Sequence, residues 1–258
     1  MTRLLLIAAL LLPTLAGAQT ASLVCFVGDS TTIGIPYVSG RMAWPQRIQL
    51  NRQGQRFSVV NMGIGGLRCN QVEPLVFLVD VVASLKSRGC TRVVIQCGIN
   101  DLLQNLTADQ IYGAAGTPGV PGSDGSSTTP GPLLRMVNAA TAAGIQVTVV
   151  TVTPLLGSYN YPAGVQTQHM DVNARIRAKS GVTTPSMVTV VDVYRSMASN
   201  AAIATALATD PGDGVAIAAP YNFGDGIHYT SGNGSVIDGT TGDGRMAQSL
   251  NAVTGALP

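Results

Sequence analysis

The sequence has 258 residues, with 15 Lys and Arg set against 13 Asp and Glu, a formal net charge of +2 and only 11% charged residues. So even a balance gives no electrostatic case for binding nucleic acid or an anionic membrane surface. The length suits one α/β domain behind a leader, and with so few charges Ser, Thr, Asn, Gln and Gly must cover much of the surface.

Residues 1–18 read as a secretory leader. Arg3 supplies the positive start, residues 4–12 are an unbroken apolar run, and Ala16-Gly17-Ala18 fits a cleavage site before Gln19. The run is too short to cross a bilayer and matches a signal h-region. No later stretch is long and apolar enough for a membrane helix. The expected mature chain is therefore residues 19–258, a single domain exported to the periplasm or the medium. Nothing in the pattern specifies an oligomeric state.

The first strand lies in Val24-Cys25-Phe26-Val27, a β-branched and aromatic run that stops at Gly28-Asp29-Ser30. A serine after such a turn stands at the carboxyl edge of a sheet, where open α/β sheets bind ligands. Its hydroxyl can serve as a nucleophile if a histidine reaches it. The same Asp-Ser pair also reads as an ordinary helix cap. Residues 44–52 suggest a short helix, and 57–61 a second strand that runs into the glycine-rich Met62-Gly63-Ile64-Gly65-Gly66. Over 71–87 the apolar residues Val72, Leu75, Val76, Val79, Val82 and Ala83 recur at helical spacing, which predicts one helix closed by Gly89. Residues 92–97 are the third strand, ending at Gly98-Ile99-Asn100-Asp101.

Residues 113–132 are rich in Gly, Pro, Ser and Thr without periodicity and read as a loop insertion beside the third strand's exit. A helix is expected over 132–143, a fourth strand over 146–152, a helix over 166–179, a fifth strand over 187–191, a helix over 194–208 and a terminal helix over 244–253. Alternating strands and helices imply a parallel sheet covered on both faces, and right-handed crossovers make it a three-layer α/β/α sandwich.

A serine nucleophile needs a base, and the chain has two histidines. His169, inside a predicted helix among polar neighbours, reads as solvent-facing. His228 lies in a glycine-flanked loop three residues after Asp225. That spacing lets the carboxylate hold one ring nitrogen and stabilise the imidazolium; a capped surface turn fits it equally. Candidate oxyanion donors stand at three strand ends: the Ser30 N–H, the Gly66 N–H and the Asn100 side-chain amide. Tight turning and helix capping are their ordinary readings. The glycine loop lacks the spacing and position of a dinucleotide fingerprint.

Gly28-Asp29-Ser30, Asn61-x-Gly63-x-x-Gly66, Gly98-x-Asn100-Asp101 and Asp225-x-x-His228 together resemble the four blocks of the SGNH hydrolases, the GDSL esterase/lipase family. The resemblance spans residues 24–228. It implies a flavodoxin-like five-stranded parallel sheet of order 2-1-3-4-5, with Ser30 as nucleophile, His228 as base and then acid, and Asp225 as its orienting partner. It further implies an oxyanion hole of Ser30, Gly66 and Asn100, and chemistry that needs no metal or organic cofactor. Two departures from the family's usual pattern stand out: Thr31 stands where leucine is common, and Leu67-Arg68-Cys69 replaces a polar pair after Gly66.

The expected activity is hydrolysis of a small-molecule, glycan or lipid ester, with short-chain or acetyl esters favoured because no apolar lid stands out. The same site would also serve a carbohydrate O-acetylesterase, an acyltransferase or a lysophospholipase-type lipase. From other classes come a secreted binding module without turnover and a flavodoxin-like nucleotide binder. The four cysteines, Cys25, Cys69, Cys90 and Cys97, allow three disulfide pairings. A Cys90–Cys97 bridge is disfavoured by an extended strand between them, and Cys25 and Cys97 also fit as free buried thiols. Their spacing does not resemble a zinc site.

Overall fold

Long β-branched runs without polar alternation suit strands buried on both faces, and five of them form one parallel sheet. The computed structural model describes residues 22–34, 43–51, 57–77, 80–113, 131–154 and 164–194. Among these residues lie the strands β1 (Ser22–Gly28), β2 (Phe57–Asn61), β3 (Arg92–Gln96), β4 (Gln146–Val150) and β5 (Val188–Val191). The helices are α1 (Ser30–Ile33), α2 (Trp44–Asn51), α3 (Cys69–Leu75), α4 (Val81–Ser87), α5 (Ile99–Leu103), α6 (Ala108–Ile111), α7 (Pro132–Ala142) and α8 (Val165–Ala178). The sheet order is β2-β1-β3-β4-β5, as the resemblance implies, and every pairing is parallel. Phe26 stands opposite Asn61, and Gly28 opposite Gln96, so the carboxyl ends of β2, β1 and β3 lie side by side.

Alternation along the strands divides the side chains between two layers. Cys25, Val27, Val93, Ile95, Val147 and Val149 enter a core shared with Val72 of α3, Leu85 of α4, Leu133 and Val137 of α7, and Val172 and Ile176 of α8. On the other face Phe26 meets Trp44 of α2 edge to face, with ring centroids 5.1 Å apart. Two disulfides, Cys25–Cys90 and Cys69–Cys97, join this frame. The reading of Cys25 and Cys97 as free thiols is thereby corrected. Each bridge closes a loop, of 65 and 28 residues, and loop-closure entropy makes each worth about 4 kcal/mol.

The single helix expected over 71–87 is instead two helices, α3 and α4. Pro74 brings no N–H to the helix ladder, and α3 ends one residue later. Asp80 then starts α4, its carboxylate accepting the Ala83 N–H at 2.9 Å. Such a cap contributes about 1 kcal/mol, enough with the proline to override an apolar period that runs on without interruption. The two ends of the loop insertion meet, since a Cβ on Gly131 would lie 2.6 Å from the Gly113 nitrogen. The expected leader (1–18), the body of the insertion (114–130) and the expected helices beyond residue 194 lie outside the described residues.

Candidate active site

β1 delivers Ser30 to the sheet's edge through a turn that only glycine fits. A Cβ on Gly28 would stand 2.2 Å from Thr32 Oγ1 and 2.4 Å from the Gln96 carbonyl oxygen. Asp29 is the N-cap of α1: its carboxylate accepts the Thr31 N–H at 2.9 Å and the Thr31 hydroxyl at 2.7 Å. The capping reading of this turn is therefore correct, and it serves the other one, because the cap fixes Ser30 as the first residue of a buried helical turn. Both bonds come from Thr31, the residue that departs from the usual pattern, and the hydroxyl bond is one that a leucine there could not make. Thr32 Oγ1 donates to Gln96 Oε1 at 3.0 Å, tying the turn to the end of β3.

The loop after β2 is laid against that turn. Met62 N–H donates to the Phe26 carbonyl at 2.7 Å and Ile64 N–H to the Gly28 carbonyl at 2.9 Å. The Asn61 amide donates to the Thr32 carbonyl at 2.9 Å, and its Oδ1 accepts the Gly63 N–H at 3.0 Å. A Cβ on Gly63 would lie 2.6 Å from the Ile33 nitrogen, so the backbone touches α1 directly. Leu67 N–H then closes a turn onto the Ile64 carbonyl, with Gly66 at φ +75°. That position of the turn requires a positive φ. Gly66 is exposed, and a Cβ built on it would meet nothing within 4 Å.

β3 ends at Gly98, which adopts φ +124° and starts α5. Asn100 is half-buried, and its Nδ2 donates to the Leu67 carbonyl at 3.0 Å, one residue beyond Gly66. An amide has two N–H groups, and this bond uses one of them. Asp101 beside it is fully buried; its Oδ2 accepts the Cys69 N–H at 2.9 Å. Its Oδ1 has no hydrogen-bond partner among the described residues. Burial pushes the carboxyl up to about 7, against the lowering effects of the Cys69 N–H and nearby Arg68. The sequence marks Asp101 only as the last residue of the Gly98-x-Asn100-Asp101 block; nothing in its spacing announces Cys69.

Ser30, Gly66 and Asn100 are thus carried to the adjoining ends of β1, β2 and β3. Asp225 and His228 lie outside the described residues. His169 is not solvent-facing: it is 5% exposed, bonded through Nε2 to the Val152 carbonyl at 3.2 Å and stacked edge to face on Tyr194. A spacing signal was present, since Val165, His169, Val172, Asn173 and Ile176 recur on one buried face of α8. Asn173 holds both the N–H and the carbonyl of Val152. His169 therefore belongs to the packing behind β4, two strands from β1.

Burial lowers His169 to about 4, despite the favourable carbonyl bond. Unfolded, the ring titrates near 6.5. The unfolded chain then binds more protons between those values, so the stability is complete above pH 6.5 and is lost as pH falls toward 4. The shift corresponds to about 3 kcal/mol. Thermal unfolding of His169→Gln beside the wild type should show the variant gaining on the wild type by about that amount from pH 6.5 to 4. A difference independent of pH would refute the assignment.

Among the described residues no group of His, Cys, Asp and Glu could hold a metal ion, and no helix is long and apolar enough to cross a membrane. The sequence profile of the GDSL-like lipase/acylhydrolase family matches residues 26–231. A search of curated protein sequences finds no match. Among solved structures, a GDSL-like lipase from Bacteroides thetaiotaomicron shares 20% identity and a TM-score of 0.57, over 92% of this chain and 90% of its own. A putative acylhydrolase from Bacteroides fragilis shares 22% at the same TM-score, over 93% and 90%. An acetyl xylan esterase from Geobacillus stearothermophilus shares 13% with a TM-score of 0.56, over 91% and 95%. At these identities the structural likeness carries the fold alone.

Proposed function

The chain belongs to the GDSL-like lipase/acylhydrolase family, and on that premise we propose that it is an exported serine hydrolase that cleaves carboxylic esters, short-chain or acetyl esters above all, through an acyl-enzyme on Ser30. The observation that carries this reading is the joining of two candidate donor elements, the Gly66 loop and Asn100, by the Asn100–Leu67 hydrogen bond, beside the turn of Ser30.

In this reading His228, oriented by Asp225, takes the Ser30 proton as Oγ attacks the ester carbonyl carbon. The negative charge on the carbonyl oxygen is met by the Ser30 N–H, the Gly66 N–H and the remaining Asn100 N–H, each worth about 3 kcal/mol in such sites. The carbon–oxygen bond to the alcohol breaks, and the alcohol leaves with the proton from His228. Water, deprotonated by the same histidine, then hydrolyses the acyl-enzyme and restores Ser30. The cycle draws on no metal or organic cofactor.

The test is hydrolysis of p-nitrophenyl esters from acetate to palmitate. The expected result is a rate highest at acetate and falling with chain length. A maximum at the long chains would move the substrate class to lipids, and no turnover across the series would remove the esterase reading.

A further inference from the structure

Gly66 poses a positioning problem. Its N–H serves catalysis only if aimed at one point, yet the residue is exposed, has no side chain and adopts φ +75°. Its orientation must therefore come from what holds its neighbours. Upstream, Ile64 is fixed to the Gly28 carbonyl, on the strand that carries Ser30. Downstream, three consecutive residues are each tied to the segment that follows β3, from Cys97 to Gln104. The Leu67 carbonyl accepts from Asn100 Nδ2 at 3.0 Å. Arg68 Nη1 donates to Gln104 Oε1 at 3.0 Å. Cys69 is bound twice, through its disulfide to Cys97 and through its N–H to Asp101 Oδ2 at 2.9 Å.

These links differ in character. The Arg68–Gln104 contact is exposed and worth little. The two at Cys69 are buried, since Cys69, Cys97 and Asp101 are each no more than 2% exposed. Placing a carboxyl there is costly: burying one without full hydrogen bonding destabilises a fold, and Oδ1 has no partner among the described residues. A residue kept only for packing would be apolar. Asp101 is better explained by what Oδ2 holds.

We propose that Asp101 and the Cys69–Cys97 disulfide are the positioning elements of the oxyanion hole, a buried brace that locks the loop behind Gly66 to the segment bearing Asn100. The brace touches no reacting atom. It keeps two donors from different strand ends in one register, where a displacement of 1 Å costs a rate factor of about 10². The inference rests on the oxyanion roles proposed above for Gly66 and Asn100.

The test compares Asp101→Asn, Asp101→Leu and Cys69→Ser/Cys97→Ser with the wild type and Ser30→Ala. kcat and KM for p-nitrophenyl acetate are normalised to sites titrated by a fluorophosphonate, or to protein concentration for Ser30→Ala, which has no site to titrate, and thermal unfolding is recorded for each. Asp101→Asn keeps an oxygen for the Cys69 N–H and should hold kcat within about threefold of wild type. Asp101→Leu and the double serine variant should lose about tenfold or more in kcat with KM nearly unchanged, because the donors act in the transition state. Asp101→Leu leaves the buried Cys69 N–H without its acceptor and should melt somewhat lower. Assayed well below its melting point, with its sites fully titrated, it should still show the reduced kcat, which a merely structural role does not allow. If the double variant fails to fold, the Asn and Leu pair decides. Equal kcat in Asp101→Leu and the wild type, or equal losses in Asn and Leu, would overturn the brace alone. Wild-type protein with no Ser30-dependent turnover would overturn the hydrolase reading, and the brace with it.

Discussion

Ser30→Ala should lower p-nitrophenyl acetate turnover by a factor on the order of 10⁴ to 10⁶ and leave the melting temperature nearly unchanged. The size follows from the cycle: without Oγ there is no acyl-enzyme, and only binding and the oxyanion donors remain to accelerate attack by water. The fold should tolerate the change, because the turn is held by other atoms. The Asp29 carboxylate bonds Thr31 twice, Thr32 reaches Gln96, and the Asn61 amide holds the Thr32 carbonyl. Circular dichroism and thermal unfolding of the variant, run beside the kinetics, separate lost chemistry from lost structure. Residual activity within tenfold of wild type would show that another group does the work.

Asn100→Ala should cost about 10² to 10³ in kcat, or about 3–4 kcal/mol of transition-state stabilisation, with little change in KM. Two losses combine in this variant. One N–H no longer meets the developing oxyanion, and the other no longer holds the Leu67 carbonyl, so the loop behind Gly66 loses a tether as well. The second loss alone costs about 1 kcal/mol of stability, which thermal unfolding reads separately. Steady-state kinetics with kcat unchanged, or with the whole effect in KM, would remove Asn100 from the oxyanion hole.

The parallel sheet was the most legible part of the chain. Val24 to Val27, 57–61, 92–96 and 146–150 are short and dense in Val, Ile and Phe, and parallel strands buried on both faces leave just that trace. The order of the strands came from the resemblance rather than from any run of residues. Helix boundaries were harder. The apolar period crosses residues 76–80 without a break, and only the covalent chemistry of Pro74 and the cap at Asp80 mark the division between α3 and α4.

At the site, residues acting through backbone geometry were legible, and residues acting through distant partners were not. Gly28, Gly63 and Gly98 each sit where a Cβ would collide with a neighbouring element, and each announced itself as a glycine at a strand end. Asp101 and the disulfides depend on partners that no local spacing reveals: Asp101 is 32 residues from Cys69, Cys69 is 28 from Cys97, and Cys25 is 65 from Cys90. His169 was misjudged because Thr167, Gln168 and Asp171 lie close to it in sequence, although its neighbours at helical spacing are Val165, Val172 and Ile176. The pairing of Asp225 with His228 rests on the resemblance and the three-residue spacing.

The central claim is that Ser30 is an activated nucleophile. Its most direct test is to treat the purified protein with a fluorophosphonate and map the adduct by peptide mass spectrometry. One phosphonyl group per chain is expected, carried on Ser30, with ester turnover lost in step with labelling. An unlabelled protein that still hydrolyses esters, or an adduct on another residue, would contradict it.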